Sequence, residues 1–246
     1  MNLRHICSAV IGSTLLATTA VAADCGGGAL GTSRTLTLER TGAAYGRFQY
    51  GGLPLAPGEV VVSFDDGPQP GATAQVLQAL ERQCVRATFF MTGEALARSP
   101  ELGAQVRAKG HTVGMHGFRH PHFATVPEAE QLADLKAAQD IHERVFGATA
   151  PATAYRFPFL EETPALRAAL KAQGITVISG DAGADDWLPD QTPQMLTDRL
   201  LERLAQTGRS GIILLHDAQP QTAAALPLML QTLKDTGYRV VHLEWR

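Results

Sequence analysis

From residue 60 onward the chain alternates between short apolar runs and longer mixed ones. The apolar runs fall at 60–64, 87–91, 111–115, 154–157, 175–179, 211–215 and 239–243. Their length and apolar content are strand-like. The stretches between them, near 73–83, 99–109, 127–146, 163–173, 192–207 and 222–236, read as helices. Three of these carry start and stop signals: Ser99-Pro100 with Gly110, Thr163-Pro164 with Gly174, and Thr192-Pro193 with Gly208. In each, a hydroxyl is placed to cap the helix, proline sits at its first position, and glycine follows its last turn. Strand and helix in regular alternation require parallel pairing through crossover helices. The expected class is therefore α/β, and both an open doubly wound sheet and a barrel fit. No glycine-rich nucleotide fingerprint follows the first strand.

The region before residue 59 reads differently. Arg4 precedes an apolar, small-residue stretch over 6–21, and Ala20-Val21-Ala22 offers a cleavage site. Residues 1–22 are expected to be a signal peptide, which makes the protein exported, periplasmic or secreted, with no membrane span in the mature chain. Residues 23–58 are glycine-rich with a short strand near 34–38, and are expected to form an arm packed on one domain, 59–246. Export bears on the cysteines. Cys7 would leave with the signal, and Cys25 and Cys84 are expected to pair in an oxidising compartment. The net charge of −3 is spread over mixed signs, so no basic stripe points to nucleic acid.

In parallel α/β folds reactive residues gather at the C-terminal strand ends. Here Asp65 and Asp66 close the first run, His116 and His120 follow the third, and Arg156 sits at the end of the fourth. Asp181, Asp185, Asp186 and Trp187 follow the fifth, and His216 and Asp217 close the sixth. Alone, Asp65-Asp66-Gly67-Pro68 is also ordinary turn chemistry. Adjacent strand residues point to opposite faces, so both carboxylates reach one site only if the backbone bends there. His116 and His120, four apart, share one side of a helical turn and could bind one metal. A carboxylate, Asp66 being nearest in type, would complete a His₂-carboxylate set and leave Asp65 free. His216 opposite such a centre reads as a general acid. His111 is expected to pack at the start of its strand, His122 lies near the site, and His142 and His242 read as surface or structural.

Taken in order, these motifs resemble the polysaccharide deacetylases with a NodB-like domain, carbohydrate esterase family 4. Ser63-Phe64-Asp65-Asp66-Gly67-Pro68 is similar to the family's T-F-D-D-G-P, and His116-Gly117-Phe118-Arg119-His120-Pro121 to its H-x-x-x-H. Arg156-Phe157-Pro158-Phe159, Asp186-Trp187 and Leu214-Leu215-His216-Asp217 resemble the third, fourth and fifth motifs. The resemblance covers residue 60 to the C-terminus and implies a distorted (β/α) barrel of about seven parallel strands.

It further implies that Asp66, His116 and His120 bind a divalent metal, usually zinc, with cobalt, nickel or manganese as substitutes. Asp65 would be the base, His216 the acid, Arg156 the partner of Asp65 and Asp186 the support of His216. Phe159, Trp187 and Leu214 would wall the substrate pocket. Two departures stand out: Phe159-Leu160 replaces the common Tyr-Gly, and Gly183 occupies the first aspartate of D-x-x-D-W. Asp181, Asp185 and Asp186 are thus all candidates to support the acid. The implied activity is removal of N-acetyl groups from N-acetylglucosamine units of an acetylated glycan. Alternatives are ester hydrolysis on acetylated xylan, cyclic-amide hydrolysis, or a silent carbohydrate-binding relative. Thiol titration of the native exported protein should find no free thiol; two would overturn the Cys25–Cys84 pairing.

Overall fold

The computed structural model describes residues 27–246. The expected signal peptide and Cys25 lie outside the described residues. The arm supplies two strands, β1 (Thr32–Leu38) and β2 (Ala44–Tyr45). There follow β3 (Glu59–Asp65), α1 (Ala72–Arg82), β4 (Thr88–Met91), α2 (Gly93–Arg98), α3 (Pro100–Ala108) and β5 (Thr112–Met115). The chain continues with α4 (Glu128–Phe146), β6 (Ala154–Tyr155), α5 (Pro164–Ala172), β7 (Thr176–Ile178) and β8 (Ala182–Gly183). It closes with α6 (Pro193–Gln206), β9 (Gly211–His216), α7 (Pro220–Asp235) and β10 (Arg239–Trp245).

Every strand pairing is parallel, as the alternating pattern requires. β3 is the hub. It pairs with β9 from Val60↔Gly211 to Asp65↔His216, with β4 at its C-terminal half, and with β10 at its foot. From β4 the sheet runs through β5 and β6 to β7, while β8 pairs with β9. β7 and β8 belong to one run, 176–183, so the chain itself carries the ring from β6 round to β9. The result is a distorted barrel of seven strands, β3 to β9. The membership differs from the sequence expectation. The run at 239–243 lies outside the ring beside β1, and β8, two residues long and too short to show a pattern, takes its place.

The period-two alternation of β3 separates structure from chemistry. Val60, Val62 and Phe64 face the helices, where Phe64 stacks on Phe89 at 5.0 Å. Val61 belongs to the inner cluster with Phe90, Ile178 and Ile212. Ser63 and Asp65 share the parity of Val61, so the same inner face becomes polar as it approaches the rim. Both faces are buried, which is why the strand reads as an unbroken apolar run.

Two of the three expected caps form. Thr163 Oγ1 accepts from Leu166 N at 3.4 Å and Thr192 Oγ1 from Met195 N at 3.2 Å. Ser99 makes no such bond, because it also terminates α2 and its φ of −138° and ψ of 58° lie outside capping geometry. Thr163 donates in addition to buried Gln131. Thr163→Ala should therefore cost about 1–2 kcal/mol and Ser99→Ala only a few tenths, read as the shift in chemical-denaturation midpoint.

Candidate active site

Each strand end delivers its side chain to the rim by extending the ladder one residue further. Asp66 N–H donates to Phe90 O, His116 N–H to Met91 O and Arg156 N–H to Met115 O. Asp65 and His216 are register partners on adjacent strands. The side chains meet in a cleft of about 460 Å³ lined by Asp65, Asp66, His116, His120, Asp186 and His216, with Phe159, Trp187 and Leu214 in its walls.

The two adjacent carboxylates reach one site because the strand stops between them. Asp65 is still extended and inward, whereas Asp66 has φ 75°, a left-handed conformation that breaks the alternation. Aspartate tolerates that region better than most side chains. Just beyond, buried Asp217 accepts from Gly67 N at 3.1 Å and from the Thr73 hydroxyl, tying the turn to α1. A Cβ at Gly67 would lie 2.1 Å from that carboxylate, so only glycine fits. Burial pushes the Asp217 carboxyl up to about 7, against its hydrogen bonds to Thr73 and Gly67.

Arg156 stands behind Asp65 and is fully buried. Its guanidinium donates to Asp65 Oδ1 at 2.6 Å, Ser63 Oγ at 2.9 Å, Ile178 O at 2.9 Å and Ser179 O at 2.8 Å, and lies 4.2 Å from the Phe90 ring centroid. Burial pushes the Asp65 carboxyl up, against the pull of this guanidinium.

His116 and His120 do share a side, but not on a helical turn. Residues 116–122 form a loop with left-handed Gly117 (φ 71°) and His120 (φ 57°). Buried Asp134 on α4 holds it, accepting from Phe118 N at 2.6 Å and Arg119 N at 3.0 Å. His116 Nδ1 lies 2.8 Å from Arg156 O. A carbonyl can only accept, so this nitrogen carries the proton and Nε2 presents its lone pair to the cleft. Burial lowers the His116 pKa to about 3, keeping the ring neutral.

Asp66, His116 and His120 fit a divalent cation. Their ligand atoms stand 3.2 Å (His116 Nε2 to His120 Nε2), 3.5 Å (His116 Nε2 to Asp66 Oδ1) and 3.4 Å (His120 Nε2 to Asp66 Oδ1) apart. Tetrahedral zinc ligands are separated by about 3.3 Å, given bond lengths of ~2.0–2.1 Å. Asp66 Oδ1 is buried without a hydrogen-bond donor, which a cation would satisfy.

Of the three candidate supports for His216, only Asp186 touches it. Asp186 Oδ1 lies 2.8 Å from His216 Nδ1, and Oδ2 accepts from His216 N at 2.7 Å and from the Thr222 hydroxyl. Asp185 instead forms a two-pronged pair with Arg203, and Asp181 accepts from Ile212 N and Arg47 N. At the rim Phe159 (φ 54°) and Leu160 (φ 57°) are both left-handed. The Phe159 ring meets His120 edge-on at 4.5 Å and stacks on His122 at 3.7 Å, so His122 is a rim residue. His111 is buried and accepts from Ala87 N, away from the site, while His142 and His242 are buried. Asp134, Thr222 and the arm residues 47–50 were not singled out by sequence, and Asp217, placed at the rim by sequence, instead braces the turn after Asp66.

A carboxylate and an imidazole flanking three cation donors suit metal-assisted hydrolysis. Comparison with known proteins agrees. The family model described as polysaccharide deacetylase matches residues 53–178. The chain is 31% identical over 182 residues to a peptidoglycan-N-acetylmuramic acid deacetylase of Bacillus subtilis, covering 74% of this chain and 37% of that protein. It is also 31% identical over 195 residues to a chitin deacetylase of Colletotrichum lindemuthianum, covering 75% of this chain and 77% of that one. Among solved structures, a Bdellovibrio bacteriovorus peptidoglycan deacetylase superposes with a TM-score of 0.76 at 31% identity, over 86% of this chain and 58% of that one. The chain belongs to the polysaccharide deacetylase family.

Burial opposes a charge on His216, but the hydrogen bond and charge of Asp186, with Asp65 and Asp66 beyond, raise its pKa to about 9. Stability from this pair is full below the unfolded histidine value of about 6.5 and is lost as pH rises through the folded value. NMR titration of the His216 ring should show its midpoint well above 6.5. Asp186→Asn should bring it down; an unchanged midpoint would break the assignment.

Proposed function

We propose that this protein is an exported, metal-dependent deacetylase that removes N-acetyl groups from N-acetylglucosamine units of a polysaccharide of the peptidoglycan or chitin type. The observation that carries the reading is the pairing of Asp65 and His216 across one cleft, with Asp66, His116 and His120 beside them. The activities named for the relatives support the substrate class. Residues 1–22 would be the signal peptide, 23–58 an arm on the 59–246 domain, and Cys25–Cys84 its disulfide. Among the described residues no helix is long and apolar enough to cross a membrane.

In this reading a divalent cation, zinc in the first instance, held by Asp66, His116 and His120 would polarise the acetyl carbonyl and lower the pKa of water at the site. Asp65 Oδ2 is the free oxygen of its carboxylate, since Oδ1 is held by Arg156, and it takes the proton from the attacking water. The Phe159 backbone N–H donates to the developing oxyanion. His216 gives its proton from Nε2 to the amine, which is a poor leaving group until protonated, while Nδ1–H stays on Asp186. Trp187, Leu214 and Phe159 enclose the acetyl group and exclude water from it.

Acetate release should be measured across chitooligosaccharides, peptidoglycan and acetylxylan, before and after chelation and zinc add-back. N-acetyl substrates should be cleaved, with loss on chelation and recovery on add-back. Preference for acetylxylan would favour the esterase reading, and glycan binding without release a silent relative. Asp65→Asn should lose ~10²–10⁴-fold in kcat and still bind zinc; full activity in that variant would remove Asp65 as the base.

A further inference from the structure

Among the described residues the large apolar side chains left exposed are Phe48, Leu132, Phe159, Trp187 and Met195. All three aromatics in that set line the same cleft. Single exposed apolar residues are common and carry no message by themselves. Three rings converging on one concavity do, because binding sites for small organic groups are built that way. Phe159 and Trp187 sit in the strand-end loops. Phe48 does not: it comes from the arm.

The arm holds Phe48 by everything except its side chain. Gly46 has φ 114° and sits against Ser179, where a Cβ would come within 2.7 Å of the Ser179 carbonyl carbon. Its carbonyl accepts from Gln49 N at 3.1 Å and Tyr50 N at 2.7 Å, which closes a tight turn. Arg47 donates from its backbone to Asp181 and from its guanidinium to Ser210 O at 2.7 Å. Phe48 N–H donates to Gly180 O at 2.9 Å. Gln49 donates to Leu160 O at 2.6 Å and accepts from Ser179 Oγ at 2.8 Å, and the Tyr50 hydroxyl donates to Glu162. The Phe48 ring has no polar group to anchor it and is left 49% exposed. Its seat is cut to fit: a Cβ on Gly180 would meet Phe48 Cε2 at 2.9 Å and Leu214 Cβ at 3.2 Å. The ring is therefore continuous with Leu214, and through it with the wall beside His216.

We propose that Phe48 is a substrate-binding residue, presenting its flat apolar face to a pyranose ring of the glycan and setting preference for an oligomer over an isolated acetyl group. The inference rests on the glycan-deacetylase reading above. Pyranose rings carry a C–H face that aromatic side chains cover, and a ring held on a fixed backbone loses little freedom when it does so.

The test uses the full exported chain. With N-acetylglucosamine hexamer, Phe48→Ala should raise KM about 5- to 10-fold with kcat nearly unchanged. Hydrolysis of p-nitrophenyl acetate, which has no sugar to stack, should be unaffected. Phe48→Leu, which keeps apolar bulk over Gly180 but no flat face, should behave as Phe48→Ala, and Phe48→Trp should restore binding. Calorimetric titration of the hexamer in an Asp65→Asn background reads the same contact without turnover, and should weaken by the same factor. Unchanged hexamer binding in Phe48→Ala and Phe48→Leu overturns the proposal, as does an equal loss on hexamer and p-nitrophenyl acetate, which would make Phe48 a structural prop. Failure of the wild type to release acetate while its hexamer binding still depends on Phe48 would count against the deacetylase reading alone.

Discussion

The buried guanidinium of Arg156 is the constraint around which the site is arranged. A charge with no access to water must find its partners within the fold, and an unpaired one costs several kcal/mol. Arg156 meets that demand with Asp65, Ser63 and two carbonyls from 178 and 179, so one residue binds β3 to the run that closes the barrel. Its own carbonyl receives His116 Nδ1–H. The side chain of Arg156 thus fixes a carboxylate and its backbone fixes an imidazole. Neither could shift without the other feeling it, and both are held before any substrate arrives.

The second device is the left-handed residue at a strand or loop end. Asp66, His120, Phe159 and Leu160 all adopt positive φ without being glycine. Such residues are held in place by their surroundings and cluster where geometry matters more than local comfort. Asp134 beneath the histidine loop, Asp217 beneath the aspartate turn and Gln49 beside Leu160 are those surroundings. Three buried or half-buried polar groups, none of which faces the chemistry, stabilise three loops that do.

What the sequence made legible follows from range. Strand runs, helix caps and strand-end chemistry are local patterns, and they put Asp65, Asp66, His116, His120, Arg156, Asp186 and His216 at one rim. The choice among Asp181, Asp185 and Asp186 was open because all three follow the same strand, and only the fold shows which reaches His216. The helical turn expected for His116 to His120 failed because Gly117 and His120 turn left, and nothing about a histidine announces that. β8 was too short to show alternation, and Ser99 resembled a cap because Ser-Pro is the same whether or not another helix ends there. Phe48 left no signature at all. Its neighbours are Gly180 and Leu214, far along the chain, and a glycine-rich arm has no periodicity to mark one ring as special.

The pairing of β1 with β10 has a consequence for how such a chain comes to be folded. Thr32 lies beside Val240, so the two outermost described strands are each other's neighbours while nearly the whole sequence separates them. β2 likewise waits for β7. Contacts of that span are slow to form and leave strand edges open until they do. Until β10 has been made, β1 has no partner there and its backbone stays exposed. Docking of the arm's β1 beside β10 is thus a late, whole-chain event, and a chain still lacking β10 leaves that edge unpaired.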